Sequence, residues 1–437
     1  MIEDTTNKII LTQDESLGNK PKWISRTFGK MEADSIRSSI FLMIAGTIGA
    51  GIYTLHHLLD DIGIVWSFFI LVFACISSIV ALDMYIHASK VTGDPDSYTE
   101  INVQILGKIF NYFSTFFNLM LFYLIMISFT VCISKVTFEV LKGSIAESIE
   151  LNIDESFATN YHRLSCLVVA IFGFILMIPE KADKLSKISL YCFLIHLYII
   201  IITILQAYSF YNDFEEEEKA EFNLFGFDLH GFFYNFGLVI SSFNNVPNFL
   251  VIRNLVKNPS ESRLNKIFRR SNAMILLVYL LTALCGYLSV GPANTENVDL
   301  MIFREPLGDT DYLMNIGQGL LGISLLISYS LVGFMLKTLI ITLLPQKNKI
   351  THIIVAAILV VSASSIAISI SSVSNYINLL GCLCGTFLNI VSPALLALKS
   401  GYTKRKAVKL GIKLWLLIGS TSGAIGTYYA MHKIIKS

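Results

Sequence analysis

Eleven stretches of this chain are apolar over about the length that crosses a bilayer, and backbone buried in hydrocarbon has to satisfy its own N–H and C=O groups. That combination predicts helices near 36–57, 62–87, 109–138, 162–179, 186–210, 231–253, 272–291, 312–344, 350–370, 375–398 and 410–434. Composition agrees: 54% of residues are hydrophobic, 15% are charged, and the mean hydropathy is +0.63. These values exclude an ordinary soluble domain and imply an all-α polytopic protein whose partner is the lipid bilayer. A net charge of +1 gives no reason to expect nucleic acid. The seven cysteines all fall in apolar segments without a Cys/His metal-ligand pattern, and Cys382-Leu383-Cys384 reads as helix packing. No Ser/His/Asp arrangement, paired carboxylates or metal cluster stands at membrane depth, so an enzyme is not expected.

Residues 1–35 are polar and lack the apolar core of a signal peptide, which predicts a mobile cytoplasmic tail ahead of one transmembrane domain over 36–437. Basic residues set the orientation. With the N-terminus cytoplasmic, 26 of the 33 Lys and Arg fall on the inside and seven outside, namely Lys135, Lys142, Arg163, Lys219, Arg304, Lys433 and Lys436. An odd number of spans then puts the C-terminus outside. The run Glu215-Glu216-Glu217-Glu218 lies in an outside loop and reads as a solvated face.

The first span is interrupted where it should be most regular, at Gly46-Thr47-Ile48-Gly49-Ala50-Gly51. Three glycines in six residues weaken the helix and free backbone groups, which hydrocarbon tolerates only where protein, water or a ligand rebinds them. Two readings stay open on this segment alone: a binding site, or close helix packing through small residues. Five spans later the sixth segment carries Ser241-Ser242-Phe243-Asn244-Asn245-Val246-Pro247-Asn248. A kink explains Pro247, whose missing N–H breaks the ladder, but not the polar cluster around it. Two broken helices in matching places of two five-helix halves point to an inverted-repeat secondary transporter with its site at the midplane. Half-helix N-termini offer N–H groups to a carboxylate, and half-helix C-termini offer carbonyls to an ammonium or a cation. A zwitterionic amino acid needs both.

Four stretches carry a family resemblance. They are Gly49-Ala50-Gly51-Ile52; Ser242-Phe243 followed by Pro247 and by Lys257-Asn258-Pro259-Ser260; Tyr279 through Leu288; and Leu380-Gly381 through Pro393 to Lys399. In order and spacing the chain resembles the amino acid/auxin permease family, and within it the sodium-coupled neutral amino acid transporters. The resemblance implies a LeuT-type fold in which helices one to five and six to ten form inverted repeats, with helices one and six discontinuous and an eleventh added. It implies symport of small neutral amino acids with sodium or protons, by a monomer with no cofactor beyond a bound Na+. Ile48, Gly49, Ala50 and Gly51 would surround the substrate carboxylate, and Ser242, Phe243, Asn244 and Asn245 would face the substrate. A sodium site would take carbonyls of Ala45 and Ile48 with oxygens near Leu325 and Ser328.

Two departures stand out. Sodium-coupled relatives usually carry Asn where this chain has Ala45, and a His common in the family before the sixth-helix Pro is Val246 here. An amino acid sensor on a transporter scaffold and a proton-coupled vacuolar exporter are the alternatives, and the membrane is that of the cell surface or of a vacuole or lysosome. Among other polar residues in the spans, Asp83 reads as an interfacial or paired carboxylate and His196 as a neutral, hydrogen-bonded packing residue.

Overall fold

A computed structural model of the protein describes residues 35–141, 155–178, 183–292, 298, 300–303, 311–345, 348–370 and 373–436. The tail expected over 1–35 lies outside these residues apart from Ser35, whose hydroxyl caps the first helix by accepting from Ser38 N at 3.2 Å. Eleven spans follow among the described residues. The first and sixth are split: α1a is Ile36–Thr47 and α1b His56–Ile62, while α6a is Leu229–Ser242 and α6b Phe249–Leu255. The others are α2 (Ile64–Val91), α3 (Lys108–Leu141), α4 (Glu155–Met177), α5 (Asp183–Asp213), α7 (Glu261–Val290), α8 (Tyr312–Leu343), α9 (Lys349–Ala367), α10 (Val373–Ser400) and α11 (Lys406–Lys436). These nine are long and apolar enough to cross a bilayer. The ends match the hydropathy spans within a few residues except that α4 starts earlier and α7 starts at Glu261 rather than near 272, because a helix continues past the apolar stretch wherever its polar residues face water.

The core lies where α3 runs along α8, α5 packs on α7 and α8, and α6a sits between α10 and α11. Small residues make the last contact close. A Cβ on Gly381 would stand 1.7 Å from the carbonyl oxygen of Gly237, and one on Gly237 would stand 1.9 Å from that of Asn378. On α11 a Cβ at Gly419, Gly423 or Gly426 would fall 2.4–2.7 Å from side chains of α10. Lipid is as apolar as a side chain, so helices associate in it through such close contact and through hydrogen bonds, here Asn378 Oδ1 accepting from Leu238 N at 2.8 Å. In its middle α10 widens into π-turns over Gly381–Gly385 and Phe387–Val391, just ahead of Pro393, whose absent N–H would break a regular ladder.

Lys337, counted above among the inside basic residues, is instead fully buried in α8. Its ammonium donates to the carbonyl of Met177 at the end of α4, where the helix dipole favours a cation, and it stands 5.0 Å from the Phe334 ring centre. A second buried cation ties α6b to the corner after α2. Arg253 donates to the carbonyls of Pro95 at 2.9 Å and Asp94 at 2.6 Å, with the carboxylates of Asp94 and Asp96 at 3.6 and 3.8 Å. Beside it the Tyr98 hydroxyl donates to the Val246 carbonyl and accepts from Leu250 N at 3.3 Å.

Candidate functional site

The helix of α1a stops at Thr47. Ile48 leaves it in extended backbone, Gly49 is extended, and a 3-10 turn over Ala50–Thr54 restarts the chain toward α1b. The closest atoms to a Cβ on Gly49 or Gly51 would be at 3.9 and 3.8 Å, and on Gly46 at 3.2 Å from the Asn248 amide. These distances are unlike those at Gly237 and Gly381. Gly49 and Gly51 are not pressed against a neighbouring backbone, whereas Gly46 lies close against the Asn248 side chain.

In α6 the helix ends at Ser242, and a 3-10 turn over Val246–Asn248 precedes α6b. The polar cluster divides its work there. Asn245 is fully buried away from the space: its amide donates to Ser78 Oγ at 3.1 Å and Asn272 Oδ1 at 2.8 Å, and its oxygen accepts from Thr47 Oγ1. It therefore binds the break in α1 to α2, α6 and α7. Asn244 faces the opposite way and accepts from Asn389 Nδ2 of α10 at 2.8 Å.

Between the two breaks lies a cavity of ≈ 220 Å³. Its wall is Gly46 to Gly49, Gly51 and Ile52 from α1; Ser241, Ser242, Asn244, Pro247 and Asn248 from α6; Leu121, Phe122, Ile125, Ser128 and Phe129 from α3; Tyr279 from α7; Ser328, Leu331, Val332 and Met335 from α8; and Ile377 and Leu380 from α10. None of these lining residues is charged. Gly46 at one end is exposed, whereas Ile52 and Tyr53 at the other are buried. The cavity thus opens on the Ile36 side of the breaks.

Of the residues picked out by sequence, Ile48, Gly49, Gly51, Ser242 and Asn244 line this cavity together. Ala50 opens the 3-10 turn between two of them. Phe243 stands behind the wall, buried, its ring edge-on to Tyr279 at 5.1 Å. Asn245 is the binding post just described. Of the cation set, Ile48 and Ser328 share the cavity wall, Leu325 is buried one turn before Ser328, and Ala45 lies in the last turn of α1a. The sequence placed Tyr279 at the start of a resemblance stretch without giving it a role at the site. Its hydroxyl lies 2.9 Å from the Ser242 carbonyl and 3.3 Å from that of Thr47, so one side chain spans both breaks. His196 Nδ1 meets the buried Tyr53 hydroxyl at 2.7 Å, and Asp83 accepts from the Tyr402 hydroxyl. Both stand outside the cavity, as packing and pairing residues.

Two five-helix halves, each opening with a broken helix, and an uncharged cavity where the breaks meet define the LeuT-type class of membrane transporters. The crystal structure of MhsT in complex with L-phenylalanine shares this fold, with a TM-score of 0.57 over 92% of this chain and 100% of that one at 13% identity. The chain belongs to the family described as "Transmembrane amino acid transporter protein", whose model matches residues 32–432. It is similar to "Putative amino acid transporter AAT1" of Plasmodium falciparum (isolate 3D7), 29% identical over 66% of this chain and 46% of that protein. The protein of the same name in Plasmodium berghei (strain Anka) is 22% identical over 66% of this chain and 45% of its own length. The chain thus matches about half the length of these relatives.

Proposed function

We propose that the protein is a secondary transporter of neutral amino acids, exposing this one cavity to the two sides of the membrane in turn and coupling the cycle to sodium. The carrying observation is that both helix breaks face one cavity whose lining, among the described residues, holds no charged side chain. A zwitterion meets backbone dipoles there, N–H groups of Gly49 to Gly51 for its carboxylate and carbonyls of Thr47 and Ser242 for its ammonium. A cationic or anionic side chain would lose its hydration without a partner, at a cost of several kcal/mol. L-Phenylalanine, the molecule in the MhsT complex, is neutral too. For the ion, Ser328 offers a hydroxyl and Ile48 a carbonyl at the cavity wall, with Ala45 and Leu325 adding carbonyls: an all-oxygen, uncharged set that suits a monovalent hard cation.

Uptake into proteoliposomes under imposed sodium and pH gradients tests the proposal. Neutral amino acids should accumulate with sodium, arginine and lysine should compete poorly, and Ser328→Ala should raise the sodium needed for half-maximal uptake several-fold. Uptake that follows a proton gradient in choline and survives Ser328→Ala would make protons the coupling ion.

The same reading carries a sidedness. The basic ends of the spans face the cytoplasm, which makes the conformation described here open to the cytoplasm. Tags on the two termini should respond oppositely to an impermeant label on intact membranes. Both tags on one side would contradict the eleven-span topology.

A further inference from the structure

Tyr279 is 1% exposed, and its hydroxyl stands between two carbonyls, Ser242 O at 2.9 Å and Thr47 O at 3.3 Å, all three residues lining the cavity. A phenol has one proton to donate. It satisfies one of those carbonyls at a time, and the shorter distance assigns it to Ser242. Thr47 O then keeps acceptor capacity that it does not spend within the helix, because α1a ends at that residue. The phenol oxygen likewise keeps its lone pairs, and a buried acceptor without a donor is costly. Three oxygens converge with more acceptors than donors, in a cavity whose described lining holds no carboxylate.

We propose that the Tyr279 hydroxyl is a direct ligand of the substrate's α-ammonium group. It donates to Ser242 O, accepts one N–H from the ammonium, and leaves a second N–H to Thr47 O. The ring stays fixed by its edge-on contact with Phe243, so the hydroxyl is already in place before substrate arrives. The same geometry makes the site count N–H donors: a primary ammonium fills both acceptors, whereas a doubly methylated nitrogen or a hydroxyl in its place has one donor left and fills one. This inference rests on the proposed transport of amino acids.

The test uses the full chain in proteoliposomes and the best transported of the twenty L-amino acids, competed by its N,N-dimethyl and α-hydroxy analogues. Tyr279→Phe keeps the ring and removes the oxygen. The half-saturating concentration of the amino acid should rise about tenfold, while inhibition by the two analogues changes less than about twofold, so that discrimination collapses. Equal weakening of all three compounds would make Tyr279 a clamp between the half-helices and overturn the proposal, as would an unchanged amino acid affinity. If Tyr279→Phe no longer transports, stabilisation of the purified variant against heat by the same three compounds gives the same comparison. A wild-type protein that transports none of the twenty would overturn the transport reading itself, a result separate from any change in discrimination.

Discussion

Gly51→Leu should lower substrate affinity by more than about a hundredfold while the protein still inserts and folds. The first atoms a side chain at this position meets are Ile377 Cγ2 and Ser242 Oγ, both 3.8 Å from a Cβ, so Gly51→Ala fits without displacement and Leu extends into the cavity. Hydrogen bonds to a charged group contribute about 1.5–3 kcal/mol each, and a leucine that denies a carboxylate two N–H groups removes about 3–6 kcal/mol. Binding measured by substrate-dependent thermal stabilisation, with Gly51→Ala as the control for backbone effects, distinguishes occlusion from misfolding. Near wild-type affinity in Gly51→Leu would show that the carboxylate does not sit at the break in α1.

Gly381→Ala should act in the opposite manner, on the fold. Its added Cβ would stand 1.7 Å from the Gly237 carbonyl, and backbone on both sides leaves no flexible side chain to move aside. α6a and α10 have to separate, which strips the Leu238–Asn378 hydrogen bond as well. The cost should reach or exceed the upper part of the ~1–3 kcal/mol range for overpacking, read as a fall in thermal midpoint and in the yield of monodisperse protein. Gly411→Ala is the control: nothing lies within 4 Å of that Cβ, and the change should be neutral or mildly stabilising through helix propensity. Equal behaviour of the two variants would mean the helices are not held at backbone contact.

The breaks in α1 and α6 were legible because their causes are local: clustered glycines at 46, 49 and 51, and Pro247 among short polar side chains. Span positions were legible for the same reason, since hydrocarbon imposes length and composition directly. The roles of Asn244 and Asn245 were not separable in sequence. Where the helix ends, consecutive residues point to different sides, and only the positions of Thr47, Ser78, Asn272 and Asn389 in space decide which amide sees the cavity. Lys337 counts as an inside cation in sequence because it lies near the inside end of the span 312–344, and the Met177 carbonyl that it meets is 160 residues away. Tyr279 was hidden by abundance: the chain has 19 tyrosines, and nothing in the local pattern marks one whose hydroxyl reaches two distant carbonyls.

Arg253 and Tyr98 have a mechanical consequence. Together they fasten α6b to the corner that follows α2, and the short helix Tyr98–Ile105 beyond that corner is fastened in turn to α3 through Asn102 and Ser114 at 3.0 Å. The inner half of α6 is therefore the input arm of a crank rather than a free flap. Its joints are the 3-10 turn at Val246–Asn248 on one side and Gly93–Asp94, both at positive φ, on the other. A rotation of α6b at the cavity should therefore displace this exposed corner, and a spectroscopic label at Asp96, whose side chain is 88% exposed, should change its signal when a transported amino acid is added.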